Sequence, residues 1–160
     1  MRQTERLAYD WRFRLYPDGQ IPAEILSPGF DDSGWDTVRV PHDWAASGEF
    51  RIENDCSYSA VSADGIIRPI EHSGRTGALP IVGCGVYRRT LFIGEEARGQ
   101  NLSLIFDGIM WESSVYINGK KAADCHFGYK SFSVDITDYV EYGRENVVTV
   151  TASVYEDCSR

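Results

Sequence analysis

The sequence predicts an all-β protein, a β-sandwich of jelly-roll type. Apolar and polar residues alternate from Tyr9 to Leu15 and repeatedly between Asn101 and Ile136, and a period of two is the pattern of a strand with one buried face. Asn118-Gly119 lies between two such runs, and a type I′ hairpin turn needs positive φ at both central positions. No helical pattern exceeds about two turns, so strands must carry the core.

The N-terminal part of the chain predicts one clean strand and one short strand. Tyr9–Leu15 places its apolar residues on one face and Arg12 and Arg14 on the other. A proline-containing loop follows from residue 16 to 30. The turn-rich run Asp31–Trp35 is compatible with one short helical turn, and it leads into a short strand, Thr37–Val40, which Pro41 closes.

The middle of the chain shows no clear periodicity between Ala45 and Gly85. Loops of this length inside compact domains are uncommon and are usually functional or mobile. Order returns with a predicted strand from Gly85 to Ile93, which is followed by the central strands. Thr137–Val140 predicts a helical turn capped by Thr137, and Asn146–Tyr155 is a long β-branched strand.

Length and charge limit the possible partners. A chain of 160 residues is most simply one domain, here residues 1–160, and it buries roughly 68–70% of its unfolded surface without a disulfide or metal. The net charge of −8 argues against a nucleic-acid partner or an anionic membrane. No run of about 18 apolar residues predicts a membrane span. The first residues lack the apolar core of a signal peptide, which favours a cytoplasmic protein, although a removed leader would leave the same sequence.

The four cysteines lie far apart and form no C-x-x-C pair. We expect free thiols rather than disulfides, because a domain of this size needs no covalent cross-link. Structural zinc ligands usually come in close pairs. The sequence therefore predicts no metal site.

Catalytic patterns are missing from the sequence. No G-x-S-x-G elbow, H-E-x-x-H motif, phosphate loop or dinucleotide glycine pattern occurs. His42 stands at a strand end, where a structural hydrogen bond is the simplest role, and His72 and His126 are expected at the surface. The sequence therefore predicts neither a nucleophilic triad nor a bound cofactor.

Paired carboxylates are a possible catalytic feature, because glycoside hydrolysis needs two of them about 5–10 Å apart. The available acids are Asp31-Asp32, Glu95-Glu96 and Glu112. The first pair lies in a turn where Asp binds local backbone N–H groups, and the second lies in a solvated connection. Neighbouring strand residues also point to opposite faces, so no catalytic residue is predicted.

Sugar binding is the chemistry that the residue types favour. Sugars are held by aromatic rings that stack on C–H faces and by polar side chains that exchange hydrogen bonds with hydroxyls. The alternative is that the aromatic candidates listed next belong to the core and that Asn118 only forms its turn. The candidates are Trp44, Trp111, Tyr116 and Tyr129, with Asp43, Glu112 and Asn118 as polar partners.

Several motifs, in order from about Trp11 to Ser153, resemble those of family 2 glycoside hydrolases. Asp31–Trp35 followed by Val38–Trp44 is similar to the family pattern D-D-S-x-W…V-x-x-P-H-D-W. Gly85–Arg89 is similar to its G-x-G-x-Y-R-(K/R) strand. The remaining matches are Phe106–Gly108, Ser114–Gly119, Gly128–Phe132, Asp135–Thr137 and Asn146–Val150.

The resemblance implies a particular domain of these enzymes. It implies the non-catalytic N-terminal sugar-binding domain, a jelly roll of the galactose-binding-domain-like type. In the family an immunoglobulin-like domain follows, and a (β/α)8 barrel carries the acid/base and nucleophilic Glu residues. Neither Glu has a match here. The implied parent is a retaining, β-galactosidase-like enzyme of carbohydrate metabolism, and residues 1–160 alone would have no hydrolase activity.

The resemblance also suggests residues that border the sugar pocket of the parent enzyme. The loop before the Gly85 strand can lead towards that pocket, so Arg75 is expected to make a polar contact, with a salt bridge to another domain as the alternative. Cys84 stands where some β-galactosidases have a substrate-binding Asn. Asp43 and Trp44 belong to the P-H-D-W motif, for which a structural role is favoured and a place at the pocket border is the alternative. Trp111 and Glu112 complete this set.

Three functional hypotheses follow. The first is a domain that packs on the barrel and helps to shape its pocket for a β-galactoside-like carbohydrate. The second is an autonomous carbohydrate-binding module that uses exposed aromatics. The third is an interdomain scaffold without a ligand, whose apolar surface contacts other domains of the same protein.

Overall fold

A computed structural model describes residues 3–47, 58–61, 63–70, 83–110 and 112–154. These residues form an all-β fold, which confirms the predicted class. Within these ranges, three short 3₁₀ turns span Ala23–Leu26, Trp44–Ser47 and Glu95–Ala97. The strands in the described ranges are β1 (Trp11–Tyr16), β2 (Asp36–Val38), β3 (Tyr58–Val61), β4 (Ile67–Ile70), β5 (Gly83–Ile93), β6 (Ser103–Phe106), β7 (Glu112–Ile117), β8 (Lys120–Cys125), β9 (Phe132–Asp135) and β10 (Arg144–Val154).

The main sheet has six antiparallel strands in the order β2-β1-β5-β10-β7-β8. Its centre is the pair β5 and β10, which run side by side from Arg144 opposite Ile93 to Val154 opposite Gly83. β6 pairs with β9, and β3 pairs with β4. The order is not the sequence order, so neighbours such as β1 and β5 come from distant parts of the chain.

The core lies between the inner face of the six-stranded sheet and the β6–β9 pair. The predicted alternation is confirmed here, because Trp11 and Phe13 of β1 are buried while Arg14 is exposed. Each such apolar side chain contributes about 1.5–3 kcal/mol when it is fully buried. The buried members of this cluster are Trp11, Phe13, Tyr87, Leu104, Val115, Ile117, Val134, Ile136, Val140, Val148, Val150 and Ala152.

The outer face of the main sheet is covered in part by the segment 17–35. Ile25 and Trp35 pack there against Val86 of β5 and form a second buried cluster. Tyr16 and Phe30 approach the Trp35 ring edge-to-face, with ring centroids 6.5 and 5.7 Å away. The predicted loop is therefore a packed layer on the sheet.

The predicted hairpin at Asn118-Gly119 is confirmed. Asn118 has φ of 51° and Gly119 has φ of 81°, as a type I′ turn requires. The turn joins β7 to β8 with Ile117 opposite Lys120. The Asn118 side chain donates to the Tyr139 carbonyl and to Asn146 Oδ1, and its Oδ1 accepts from Val147 N–H.

Two local expectations differ from the structure. The stretch without periodicity contains the hairpin of β3 and β4, whose strands are only four residues long. Thr137 was expected to cap a helical turn, but its hydroxyl accepts a hydrogen bond from Leu102 N–H at 2.9 Å. Asp135 Oδ1 instead accepts from Thr137 N–H at the start of that turn.

Candidate functional site

The strand register brings two candidate residues to one end of the main sheet. Tyr16 lies opposite Cys84, Cys84 opposite Ser153, and Ser153 opposite Glu112. This row across β1, β5, β10 and β7 belongs to the outer face, since its members alternate with the inward-facing Gly85 and Ala152 positions. We call this end of the main sheet the Cys84 end. β5 and β7 both begin there.

Cys84 is buried at the Cys84 end, with 1% of its surface exposed. Its Sγ lies 3.2 Å from Ser153 Oγ, which donates to it. Burial raises the pKa of the Cys84 thiol, and the hydrogen bond from Ser153 acts in the opposite direction. A buried neutral thiol is a weak nucleophile.

Thiol labelling of the folded protein tests this environment. We expect Cys125, which is half-buried, to react with a maleimide at least roughly ten times faster than Cys84. The reason is that an accessible thiolate is the nucleophile in this reaction. Mass spectrometry of the labelled peptides measures both rates. Equal rates in the folded protein, together with equal rates after denaturation, would contradict the buried placement of Cys84.

Asp43 and Trp44 occupy the other face of the sheet. Asp43 Oδ1 accepts a hydrogen bond from Ala45 N–H at 2.9 Å, so this exposed carboxylate holds its own turn. Trp44 is stacked on Phe13 with ring centroids 6.0 Å apart. A Cβ on Gly85 would lie 2.7 Å from the Trp44 ring. Trp44 therefore packs on the inner face, while Cys84 and Glu112 belong to the outer face.

His42 joins the same aromatic group from the loop before Trp44. Its Nδ1 lies 3.0 Å from the Tyr87 hydroxyl, and its ring lies edge-on to Phe13 with centroids 4.6 Å apart. Partial burial lowers the pKa of His42, while Asp43 and Asp36 oppose that shift. Burial also raises the pKa of the Tyr87 hydroxyl. The neutral imidazole and neutral phenol together suit a structural hydrogen bond.

The lowered pKa of His42 predicts a pH-dependent stability. In the unfolded chain His42 binds a proton near pH 6.5, whereas in the folded chain it does so only at lower pH. The free energy of unfolding that His42 contributes above about pH 6.5 is therefore lost as the pH falls through the folded pKa. Melting temperatures measured between pH 7.5 and 5 should therefore decline less in His42→Gln than in the wild type. His126→Gln, at an exposed site, is the control and should keep the wild-type slope.

An ion pair between a buried arginine and a partly exposed aspartate links two sequence motifs. Arg88 Nε donates to Asp32 Oδ2 at 2.8 Å, and Arg88 is only 1% exposed. The same guanidinium donates to the Ile25 and Ser27 carbonyls and to Thr149 Oγ1, and it lies 5.5 Å from the Phe30 ring centroid. This pair was missed in the sequence, although Asp31 does bind Ser33 N–H as expected for a turn. The signal in the sequence is an arginine on a strand that is rich in β-forming residues.

The remaining candidates do not meet in one cleft. Glu112 is 47% exposed at the start of β7, with Oε1 3.6 Å from His126 Nδ1. Tyr116 is half-buried on the outer face beneath Lys121, 5.8 Å from the ring centroid. Tyr129 is 67% exposed beside Phe127. Arg75, Trp111 and His72 lie outside the described residues.

The described residues contain neither a metal-binding cluster nor a membrane-spanning helix. In that part of the chain no three acidic, histidine or cysteine side chains come together as a metal site would need. In the same residues no helix has the length and apolar character to cross a membrane.

Comparisons with known proteins point to one family. A family model described as glycosyl hydrolases family 2, sugar binding domain, matches residues 4–159. The β-galactosidase BoGH2A of Bacteroides ovatus is 38% identical over 149 residues, which cover 93% of this chain and 15% of that relative. A putative β-glucuronidase of Formosa agariphila is 27% identical over 151 residues, covering 94% of this chain and 13% of the relative.

Solved structures give the same result. The crystal structure of a glycosyl hydrolase family 2 member from Bacteroides cellulosilyticus matches with a TM-score of 0.70 and 29% identity, and the match covers 93% of this chain and 17% of that one. The chain thus spans 13–17% of the length of these three relatives.

Proposed function

Because the chain belongs to the sugar-binding domain family of the family 2 glycosyl hydrolases, we propose that it is the non-catalytic N-terminal domain of a β-galactosidase-like enzyme. In this proposal the domain packs on the (β/α)8 barrel of the complete protein and helps to shape its sugar pocket. The barrel supplies both catalytic carboxylates, and the domain supplies a rigid wall.

The observation that carries this proposal is that the motif side chains bind other parts of the same domain. Asp32 holds Arg88, and Trp44 packs over Gly85. Asn118 fixes the turn and the start of β10 through Asn146 and Val147. These side chains hold the domain's own loops in place, which is what a supporting element of an active site needs. They leave no assembled catalytic centre among the described residues.

The Cys84 end is the surface that we assign to the pocket side. β5 and β7 begin there, directly after the segments that contain Arg75 and Trp111. Glu112 is partly exposed at that end. In the proposed enzyme, Arg75 offers guanidinium N–H donors to the substrate or to the barrel. The buried Cys84 lies at the start of β5.

A domain exchange tests the proposal. The first domain of the Bacteroides ovatus β-galactosidase, which is 38% identical to this chain, is replaced by residues 1–160. We expect the chimera to hydrolyse 4-nitrophenyl β-galactoside, whereas residues 1–160 alone do not. Arg75→Ala in the chimera should raise KM by roughly tenfold with a smaller change in kcat, as for lost ground-state binding. Arg98→Ala, at an exposed site, serves as the control.

The possible failures of this experiment have different meanings. A folded chimera without activity, whose first domain is released by light proteolysis, would contradict packing on the barrel. An active chimera in which Arg75→Ala and Arg98→Ala behave alike would remove Arg75 from the pocket. If substitutions at Glu112 also had no effect on KM, the domain would be an interdomain scaffold without a ligand.

A further inference from the structure

Two aromatic side chains project into solvent from the loop between β8 and β9. Phe127 is 51% exposed and Tyr129 is 67% exposed. Their rings meet edge-to-face, with centroids 6.2 Å apart. This arrangement leaves one face of each ring uncovered by the other. Single exposed apolar residues are common on proteins, but a contacting pair of rings on a short loop is a defined surface.

The loop that carries these rings is closely packed. A Cβ on Gly108 would lie 2.7 Å from the Gly128 carbonyl oxygen, and a Cβ on Gly128 would lie 2.5 Å from Met110 Sδ. Ser131 Oγ also donates to the Asp107 carbonyl at 3.2 Å. The loops 107–110 and 126–131 therefore hold each other, and the exposed rings stand on a supported backbone.

Polar groups lie next to the rings. His126 directly precedes Phe127, and its Nδ1 is 3.6 Å from Glu112 Oε1. Both side chains remain accessible, at 71% and 47% exposure. The backbones of Glu112 and His126 are close because the adjacent residues, Ser113 of β7 and Cys125 of β8, lie opposite each other. We call Glu112, His126, Phe127 and Tyr129 the aromatic tip.

We propose that the aromatic tip is a binding site for a neutral hexopyranoside. The C–H face of a pyranose ring stacks on Tyr129 or Phe127, a hydroxyl donates to the Glu112 carboxylate, and the His126 imidazole exchanges a second hydrogen bond. The sugar is neutral because Glu112 and the net charge of −8 repel a uronic acid. This site goes beyond the proposed function, since it acts without a barrel.

The test is a titration of the folded 160-residue chain, followed by heteronuclear NMR. Methyl β-D-galactopyranoside and methyl β-D-glucopyranoside should shift the amide signals of residues 108–110 and 126–131, with a Kd on the order of 1 mM to 10 mM. Methyl β-D-glucuronide should bind roughly tenfold more weakly or not at all. Tyr129→Ala should raise the Kd of the neutral sugar by roughly tenfold. Glu112→Gln should reduce the difference in Kd between the neutral sugars and the glucuronide.

Phe92→Ala is the matched control. Phe92 is 64% exposed, nearly the same fraction as the 67% of Tyr129. It lies near the end of β5 that is remote from Cys84, so the variant should bind like the wild type. Three results would overturn the aromatic tip as a binding site: a well-folded chain without shifts up to about 100 mM of any sugar, shifts elsewhere in the domain, or equal losses in Phe92→Ala and Tyr129→Ala. The activity of the domain-exchange chimera and the effect of Arg75→Ala on its KM involve no residue of the aromatic tip, so these two readouts test the proposed function separately.

Discussion

Replacing Arg88 with Met is expected to lower the free energy of unfolding by about 3–5 kcal/mol. The variant keeps an apolar stem of similar length, but it removes the charge partner of Asp32 and the donors for two backbone carbonyls and the Thr149 hydroxyl. A carbonyl or hydroxyl oxygen that stays buried without a donor is cut off from water and has no hydrogen bond to replace it, which destabilises the folded state. The segment 17–35 should then separate from the sheet.

Urea denaturation of the wild type and Arg88→Met measures this loss. Arg98→Met is the matched control, because Arg98 also pairs with a carboxylate, Glu95, but both side chains are 62% exposed. Exposed pairs contribute about 0–1 kcal/mol, so the control should stay near the wild type. If Arg88→Met and Arg98→Met lowered the free energy of unfolding equally, the contacts of the buried Arg88 would not be what holds the segment to the sheet.

The alternation of side chains was enough to predict most of the fold. β1 and β7 alternate between buried and less buried positions, and the burial of Phe13 and Val115 follows the pattern. β5 and β10 are instead buried on both faces along much of their length. β3 and β4 were missed because they are four residues long and Pro69 lies within β4, where proline normally argues against a strand. A short strand with a proline has too few positions to show a period of two.

The site was harder to predict because its contacts join distant parts of the chain. Asp32 and Arg88 are 56 positions apart, and His42 and Tyr87 are 45 positions apart. Only the sheet order, in which β1 lies between β2 and β5, brings these segments together. Likewise, the separation of Trp44 from Cys84 onto opposite faces depends on where a loop folds, which no local pattern specifies.

Replacing Gly119 with Val is expected to lower the free energy of unfolding by roughly 3 kcal/mol or more. Gly119 has φ of 81°, and a Cβ there would lie 2.9 Å from the Leu26 carbonyl oxygen. Two controls separate these causes. Gly99 has the same φ of 81° with nothing within 4 Å, and Gly29 has open space without a positive φ. Gly99→Val should cost about 1–2 kcal/mol and Gly29→Val less than about 0.5 kcal/mol.

The difference between Gly119→Val and Gly99→Val measures how closely the hairpin contacts the segment 17–35. Leu26 lies between Ile25 and Ser27, whose carbonyls Arg88 binds, so the hairpin and Arg88 hold the same turn from two sides. The double variant Arg88→Met with Gly119→Val should therefore lose less stability than the sum of the single losses, because a turn already released cannot be released again. Strict additivity, or equal melting temperatures for Gly119→Val and Gly99→Val, would show that the turn does not rest on the hairpin.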